Sequence, residues 1–72
     1  MVLCDIGNST FSFLVDDNSF VVDIKNSSNL PKIDKKIYFI SVNKKATKIF
    51  QKKYPKAIDL APYIKLKTKY KG

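Results

Sequence analysis

Two clusters of turn-forming residues divide the first part of the chain into three short strands. A cluster at residues 7–9 follows the apolar residues 2–6, and a second at residues 16–19 follows the alternating residues 10–15. Glycine, asparagine, aspartate and serine favour turns because they adopt left-handed backbone conformations or hydrogen-bond to their own main chain. Strands joined by such short connections run antiparallel. We therefore expect a three-stranded antiparallel start, with the third strand at residues 20–25.

The second half of the chain predicts a strand, a helix and a further strand. After a loop at residues 26–36, which holds at most a short helical turn, residues 37–42 are an apolar run typical of a strand covered on both faces. Asn43 is a good helix N-cap, and Pro55 should end the helix. Residues 57–60 predict a short strand. A strand-helix-strand unit favours parallel pairing, so the fold class is α/β.

Lysine enrichment gives the chain a net charge of +8, unevenly placed. Residues 1–31 carry one lysine and four aspartates, whereas residues 32–72 carry thirteen lysines and two aspartates. Such a basic half attracts polyanions, and Tyr54, Tyr63 and Tyr70 could stack on bases. A small lysine-rich nucleic-acid-binding module is therefore an alternative function. The absence of arginine, the side chain best suited to bidentate base recognition, disfavours nucleic acid as a partner.

Cysteine and histidine usage excludes several kinds of site. Cys4 is the single cysteine and histidine is absent, so neither an internal disulfide nor a Cys-His zinc site can form. We expect Cys4 to be a small core side chain of a strand. The sequence also lacks a secretory signal pattern and an apolar run of about 18 residues. These features predict a cytoplasmic protein with no membrane partner.

The first turn carries residues from which phosphate sites are built. Asp5 interrupts the apolar first strand, two residues before the cluster Gly7, Asn8 and Ser9. Glycine lets the main chain approach a ligand, and successive backbone N–H groups in a turn bind anions. The Asp5 carboxylate would hold a Mg²⁺ that neutralises phosphoryl oxygens. The alternative is a plain β-hairpin, because these are also ordinary turn residues.

A family resemblance begins at the same residues. Leu-Cys-Asp-Ile-Gly-Asn-Ser at residues 3–9, followed by a Phe-rich strand, resembles the first phosphate motif of the type III pantothenate kinases, a family also labelled Bvg accessory factor-like. The resemblance extends more loosely through residues 37–43 and 59–63. It implies an actin-like ATPase, ribonuclease-H-like fold, of which residues 1–72 would be an incomplete N-terminal part.

The resemblance also implies a function, cofactors and partners. Members of the family use ATP to phosphorylate pantothenate, the first committed step towards coenzyme A. They are cytoplasmic homodimers that need Mg²⁺ and a monovalent cation, K⁺ or NH₄⁺. The chain would be the ATP-phosphate-binding segment of such a kinase.

Position by position, the resemblance assigns contacts with ATP phosphates to the first turn and the residues beside it. Asp5 would also bind the metal, and Tyr70 would edge the pantothenate pocket. Many family members have Thr where this chain has Ser9, and many have Lys where it has Ser12. The phosphate contacts are assigned to Asp5, Ile6, Gly7, Asn8, Ser9, Thr10, Phe11 and Ser12.

The resemblance places the catalytic base outside this chain. The family's Gly-x-Asp-Arg motif, whose carboxylate acts on the pantothenate hydroxyl, would follow Gly72, so no catalytic residue is expected here. The chain would be inactive alone, because phosphoryl transfer needs charge neutralisation from several sides of the nucleotide. A third alternative is a structural or regulatory relic that pairs with another subunit through an exposed sheet edge.

Overall fold

Five strands, one α-helix and two short 3₁₀ segments make up residues 1–63, the part of the chain that the computed structural model describes. The α/β class predicted from the sequence is confirmed. No helix in this part is long and apolar enough to cross a membrane. The elements are β1 (Val2–Ile6), β2 (Thr10–Val15), β3 (Asn18–Asp23), the first 3₁₀ segment (Ile24–Asn29), β4 (Ile37–Ser41), α1 (Lys44–Lys53), β5 (Ile58–Asp59) and the second 3₁₀ segment (Ala61–Tyr63).

β1 is the central strand of the sheet, whose order is β3-β2-β1-β4-β5. β1 pairs antiparallel with β2, and β2 pairs antiparallel with β3. β1 pairs parallel with β4, and β4 pairs parallel with β5. The antiparallel start and the parallel strand-helix-strand unit are both confirmed. β3 and β5 form the edges of the sheet within residues 1–63, so the proposal of pairing through an edge remains a prediction.

The core lies on one face of the sheet, beneath α1. Because side chains alternate along a strand, every second residue of β1, β2 and β4 points to this face. The ring centroid of Phe50 on α1 lies 5.1 Å from that of Phe39 and 4.9 Å from that of Tyr54. The buried residues of the core are Val2, Cys4, Ile6, Phe11, Phe13, Leu30, Ile37, Phe39, Ala46, Phe50 and Tyr54.

Cys4 is a buried core residue, as the sequence predicted. Burial, with a further contribution from the charge of Asp5, raises the pKa of its thiol to about 12. The thiolate is the form of cysteine that reacts or binds metals, and a thiol with this pKa stays protonated at neutral pH. Cys4 therefore serves packing.

The opposite face of the sheet carries apolar side chains that residues 1–63 leave partly exposed. Leu3, Leu14 and Ile40 are 37%, 44% and 37% exposed. The prediction that residues 37–42 are covered on both faces is therefore wrong for this part of the chain. The reason is that α1, the one α-helix among the described residues, can cover only the side to which Phe39 points.

The second turn is tighter than the sequence predicted. Val15 pairs with Asn18, which leaves only Asp16 and Asp17 between β2 and β3. Asp16 has a φ of 55°, in the left-handed region that aspartate enters more readily than most residues. β3 therefore begins two residues earlier than expected.

β3 also ends earlier than predicted, and the first 3₁₀ segment replaces the end of the strand expected at residues 20–25. The backbone N–H of Ile24 donates to the carbonyl oxygen of Ser9 at 2.9 Å, and the Ile24 side chain packs against the core. Asn26, with φ −107° and ψ 35°, interrupts the segment. The chain therefore enters the 3₁₀ segment directly after Asp23.

The later boundaries agree with the sequence more closely. α1 ends at Lys53, and Tyr54 at its C-cap donates its backbone N–H to the carbonyl oxygen of Phe50, so the helix stops just before Pro55 as predicted. The strand expected at residues 57–60 is the shorter β5. Tyr70, which the resemblance places at the pantothenate pocket, lies outside the described residues.

Candidate phosphate-binding turn

The turn at residues 7–9 joins β1 to β2 at the end of the sheet where the carboxyl ends of β1 and β4 lie and α1 begins. β1 and β4 run parallel, so their carboxyl ends meet there and Ile6 lies beside Ser41. The backbone N–H of Val42 donates to the carbonyl oxygen of Ile6 at 3.1 Å. The backbone N–H of Gly7 donates to the carbonyl oxygen of Thr10 at 2.9 Å and closes the turn. Both flanks of the turn are therefore fixed by the sheet.

The tip of the turn is open to solvent. Asn8 and Ser9 are exposed, and neither backbone N–H donates to another main-chain group within residues 1–63. Gly7 does not use the left-handed conformation, and a Cβ at this position would meet only the carbonyl oxygen of Thr10, at an ordinary 3.8 Å. The described chain itself therefore does not require glycine here, whereas a ligand that approaches the main chain closely would.

Asp5 stands two residues before Gly7, on the face of the sheet that α1 does not cover. Its side chain is exposed, and its neighbours in the ladders are Ser12 on β2 and Ile40 on β4. Within residues 1–63 it belongs to no cluster of three or more Asp, Glu, Cys or His side chains. A single carboxylate suits Mg²⁺, which keeps several waters and takes further ligands from substrate phosphates. The residues present thus fit a nucleotide-bound Mg²⁺.

The other predicted phosphate ligands divide between the two faces of the sheet. Ser12 lies directly opposite Asp5 in the β1–β2 ladder, so the structure brings these two side chains together. Ile6 and Phe11 have no exposed surface and belong to the core, which leaves only their main chain to meet a ligand. Thr10 is half-buried at the start of β2.

Asn43 links the turn to α1. Its side-chain Oδ1 accepts a hydrogen bond from the backbone N–H of Ala46 at 3.0 Å, which confirms the predicted N-cap. Its Nδ2 donates to the carbonyl oxygens of Gly7, at 3.3 Å, and Asn8, at 3.4 Å. Sequence reasoning found the cap but missed the contact with the turn, because no local pattern reports a contact between residues 35 and 36 positions apart.

Positively charged groups lie at the beginning of α1, beside the turn. The first turn of the helix has no acidic residue and starts with the exposed Lys44 and Lys45. The helix dipole adds partial positive charge at the same end. Lysines there oppose the dipole at a cost of about 0.3–1 kcal/mol each. An anion bound beside the helix start would be stabilised by both sources of charge.

A lysine-lined cavity lies at the other end of β4, away from the turn. It has a volume of about 400 Å³ and is lined by Lys35, Lys36, Lys53 and Lys56, among others. Tyr54 also lines it, but this tyrosine is only 6% exposed and its hydroxyl donates to the carbonyl oxygen of Pro31. Its ring is therefore packed in the core and not free to stack on a base. Of the tyrosines named for the nucleic-acid alternative, Tyr63 is 76% exposed.

Comparison with known proteins relates the whole chain to one group of enzymes. No family profile matches it. It is 36% identical over its 72 residues to the type III pantothenate kinase of Wolinella succinogenes, 40% identical to that of Campylobacter jejuni and 36% identical to that of Helicobacter pylori. These matches take in 100% of this chain but 34%, 34% and 32% of the three relatives. The chain thus spans about a third of the length of the curated relatives it matches.

A solved structure agrees with the sequence comparison. A crystal structure described as that of a conserved Baf family transcriptional activator from Campylobacter jejuni matches with a TM-score of 0.66 and 35% identity. The match covers 88% of this chain and 29% of that one. Seven relatives, all named type III pantothenate kinase, match the sequence at identities between 35% and 40%. The chain is therefore similar, over its full length, to proteins named type III pantothenate kinase.

Proposed function

We propose that the chain is the ATP-phosphate-binding segment of a type III pantothenate kinase, which transfers a phosphoryl group from ATP to pantothenate in the first step of coenzyme A biosynthesis. One observation carries the proposal: an open turn after β1 presents main-chain N–H groups beside an exposed carboxylate and the start of a helix. An actin-like, ribonuclease-H-like fold, a cytoplasmic location and a homodimer of the complete kinase belong to the same proposal.

The turn would bind phosphoryl oxygens mainly through its main chain. The N–H groups of Asn8 and Ser9 are successive donors in a turn, an arrangement that forms a concave site for anions. The hydroxyls of Ser9 and Thr10 add donors whose hydrogens can rotate towards a ligand. Donors that are held in place before the reaction stabilise the charge of the transferring group without a reorganisation cost.

Asp5 would hold the Mg²⁺ that accompanies ATP, and this ion supplies charge neutralisation at the phosphoryl oxygens. Ser12, opposite Asp5, can hydrogen-bond to the carboxylate or to a phosphate oxygen. The monovalent cation, K⁺ or NH₄⁺, and the place of Tyr70 beside pantothenate remain predictions for the complete kinase.

The segment would not catalyse the reaction alone. The proposal assigns the Asp5 carboxylate, which lies two residues before the turn, to the metal. The family resemblance assigns the general base for the pantothenate hydroxyl to the rest of the kinase. We expect the 72-residue chain to form no phosphopantothenate from ATP and pantothenate; turnover at the rate of a complete kinase would contradict the proposal.

A titration followed by ¹H–¹⁵N NMR tests the binding site directly. Mg²⁺-ATP added to the 72-residue chain should shift the backbone amide signals of residues 7–10 most, while adenosine, which lacks phosphates, should leave them in place. The turn at Asp16 and Asp17 serves as an internal control, because it is exposed but acidic. If only the amide signals of Lys35, Lys36 and the other lysines of the lysine-lined cavity shift, the result would contradict the proposal and favour a general polyanion site.

A further inference from the structure

We infer that Asn43 is a positioning residue for the phosphate turn: its side-chain amide holds the carbonyls of Gly7 and Asn8 and thereby aims the next two N–H groups at the ligand. The inference rests on the proposed function, because only a phosphate at the turn gives this orientation a use. Asn43 is 35 residues from the turn in sequence and meets it because β4 lies parallel to β1.

The orientation follows from the planarity of the peptide bond. In a trans peptide the C=O of one residue and the N–H of the next point in opposite directions, and the described chain has no cis peptide. Asn43 Nδ2 donates to the carbonyl oxygens of Gly7 and Asn8. The N–H groups of Asn8 and Ser9 must therefore point away from Asn43, towards the open side of the turn.

Both polar atoms of the Asn43 side-chain amide make hydrogen bonds. The position therefore uses an acceptor and a donor on one short side chain, and asparagine provides both. Oδ1 caps α1 through the N–H of Ala46, while Nδ2 supplies donors to the turn. Aspartate or serine could cap the helix equally well but would bring no side-chain N–H. The requirement for a cap therefore does not explain the amide nitrogen.

The backbone of Asn43 is itself held by two hydrogen bonds. Its backbone N–H donates to Ser41 Oγ at 3.0 Å, and Thr47 Oγ1 donates to its carbonyl oxygen at 2.8 Å. The side chain is half-buried. By contrast, the bonds to the turn, at 3.3 and 3.4 Å, are longer than the usual N–H···O distance, so we expect them to contribute little to the stability of the fold.

Substitution of Asn43 separates the cap from the turn contact. Asn43→Ser keeps a neutral cap acceptor and removes the amide donors, and Asn43→Asp keeps the cap but adds a negative charge. We expect both variants to unfold at the wild-type temperature within a few degrees, with the N–H signals of Asn8 and Ser9 displaced. The dissociation constant of Mg²⁺-ATP should rise about tenfold in Asn43→Ser, equivalent to about 1.4 kcal/mol, and further in Asn43→Asp. Asn18→Ser, which removes an exposed asparagine amide beside the other turn, should bind as the wild type does.

The readouts distinguish positioning from a purely structural role. NMR couplings across the hydrogen bonds from Asn43 Nδ2 to the carbonyl carbons of Gly7 and Asn8 should be present in the wild-type chain. Wild-type binding by Asn43→Ser, or undisplaced Asn8 and Ser9 signals in it, would overturn the inference. If the wild-type chain does not bind Mg²⁺-ATP, the proposed function fails, while the couplings and the amide signals still decide whether Asn43 orients the turn.

Discussion

Asp5 and Ser12 face each other across the β1–β2 ladder, and both side chains are exposed on the side of the sheet opposite α1. Directly opposed residues on neighbouring antiparallel strands have Cβ atoms about 4.5–5.5 Å apart. A ligand that reaches Asp5 is therefore within reach of Ser12. The exposure of Asp5 also means that its carboxylate contributes little to folding, so that its function can be tested without loss of the fold.

Asp5→Asn should weaken the binding of Mg²⁺-ATP about tenfold while leaving the binding of metal-free ATP unchanged or slightly tighter. The reason is that the amide cannot hold the cation but also no longer repels the phosphates. Calorimetric titrations with and without Mg²⁺ measure both affinities. Asp17→Asn removes an exposed carboxylate from the other hairpin turn and should bind as the wild type does. Equal affinity of the Asp5→Asn and Asp17→Asn chains for Mg²⁺-ATP would count against the metal role.

Gly7→Ala should leave folding intact and impair phosphate binding. A Cβ at Gly7 has ordinary room, 3.8 Å from the carbonyl oxygen of Thr10, and the residue is not left-handed. Alanine in such a position changes stability by up to about 1 kcal/mol, usually in the favourable direction, because it restricts the unfolded chain. Urea unfolding and a Mg²⁺-ATP titration of the same variant measure the two effects. A clear loss of stability, or unchanged affinity, would show that the turn is not built for close approach of a ligand.

Phe13→Ala and Leu14→Ala should differ sharply in their effect on stability. The two residues are neighbours on β2, but Phe13 is 1% exposed and packs against Phe20 at 4.9 Å between ring centroids, whereas Leu14 is 44% exposed on the uncovered face. Loss of a buried phenylalanine costs about 3–5 kcal/mol, and a truncation on an exposed face costs about 1 kcal/mol or less. Urea denaturation curves give both values. Similar costs would indicate that the face carrying Leu14 is covered in solution.

Alkaline pH should destabilise the chain through Cys4 and Tyr54. Folding raises the pKa of the Cys4 thiol from 9.0 to about 12, and burial, with the nearby Cys4 as a second cause, raises that of Tyr54 from 10.0 to about 12. The neutral forms are therefore favoured in the folded state. Their contribution to stability is complete below pH 9 and is lost as the pH rises from about 9 towards 12, because the unfolded chain ionises first.

Variants at these two positions check the assignment of the alkaline transition. Cys4→Ala should remove the part of the pH dependence that begins near pH 9, and Tyr54→Phe the part that begins near pH 10. The free energy of unfolding measured by urea at several pH values gives the slopes. A slope that neither substitution changes would place the titrating groups elsewhere in the chain.

The sequence was sufficient for the strands, the helix and the location of the first turn. Strand β1 and its turn residues, the alternation of β2, and the cap of α1 at Asn43 were all recognisable because they depend on periods of two or 3.6 residues and on local turn chemistry. The ends of β3 were not, because the two-residue turn at Asp16 and Asp17 and the 3₁₀ segment that starts at Ile24 set them, and the local alternation does not report either.

What the amino-acid order determined by itself is therefore the set of elements and the chemical character of the turn after β1. Only the tertiary structure decided that β1 lies between an antiparallel and a parallel neighbour, that α1 covers one face alone within residues 1–63, and that Asn43 reaches Gly7 and Asn8. Local patterns specify which way a side chain points along its own element. Strand register and helix packing, which sum many weak contacts across the chain, specify what that side chain meets.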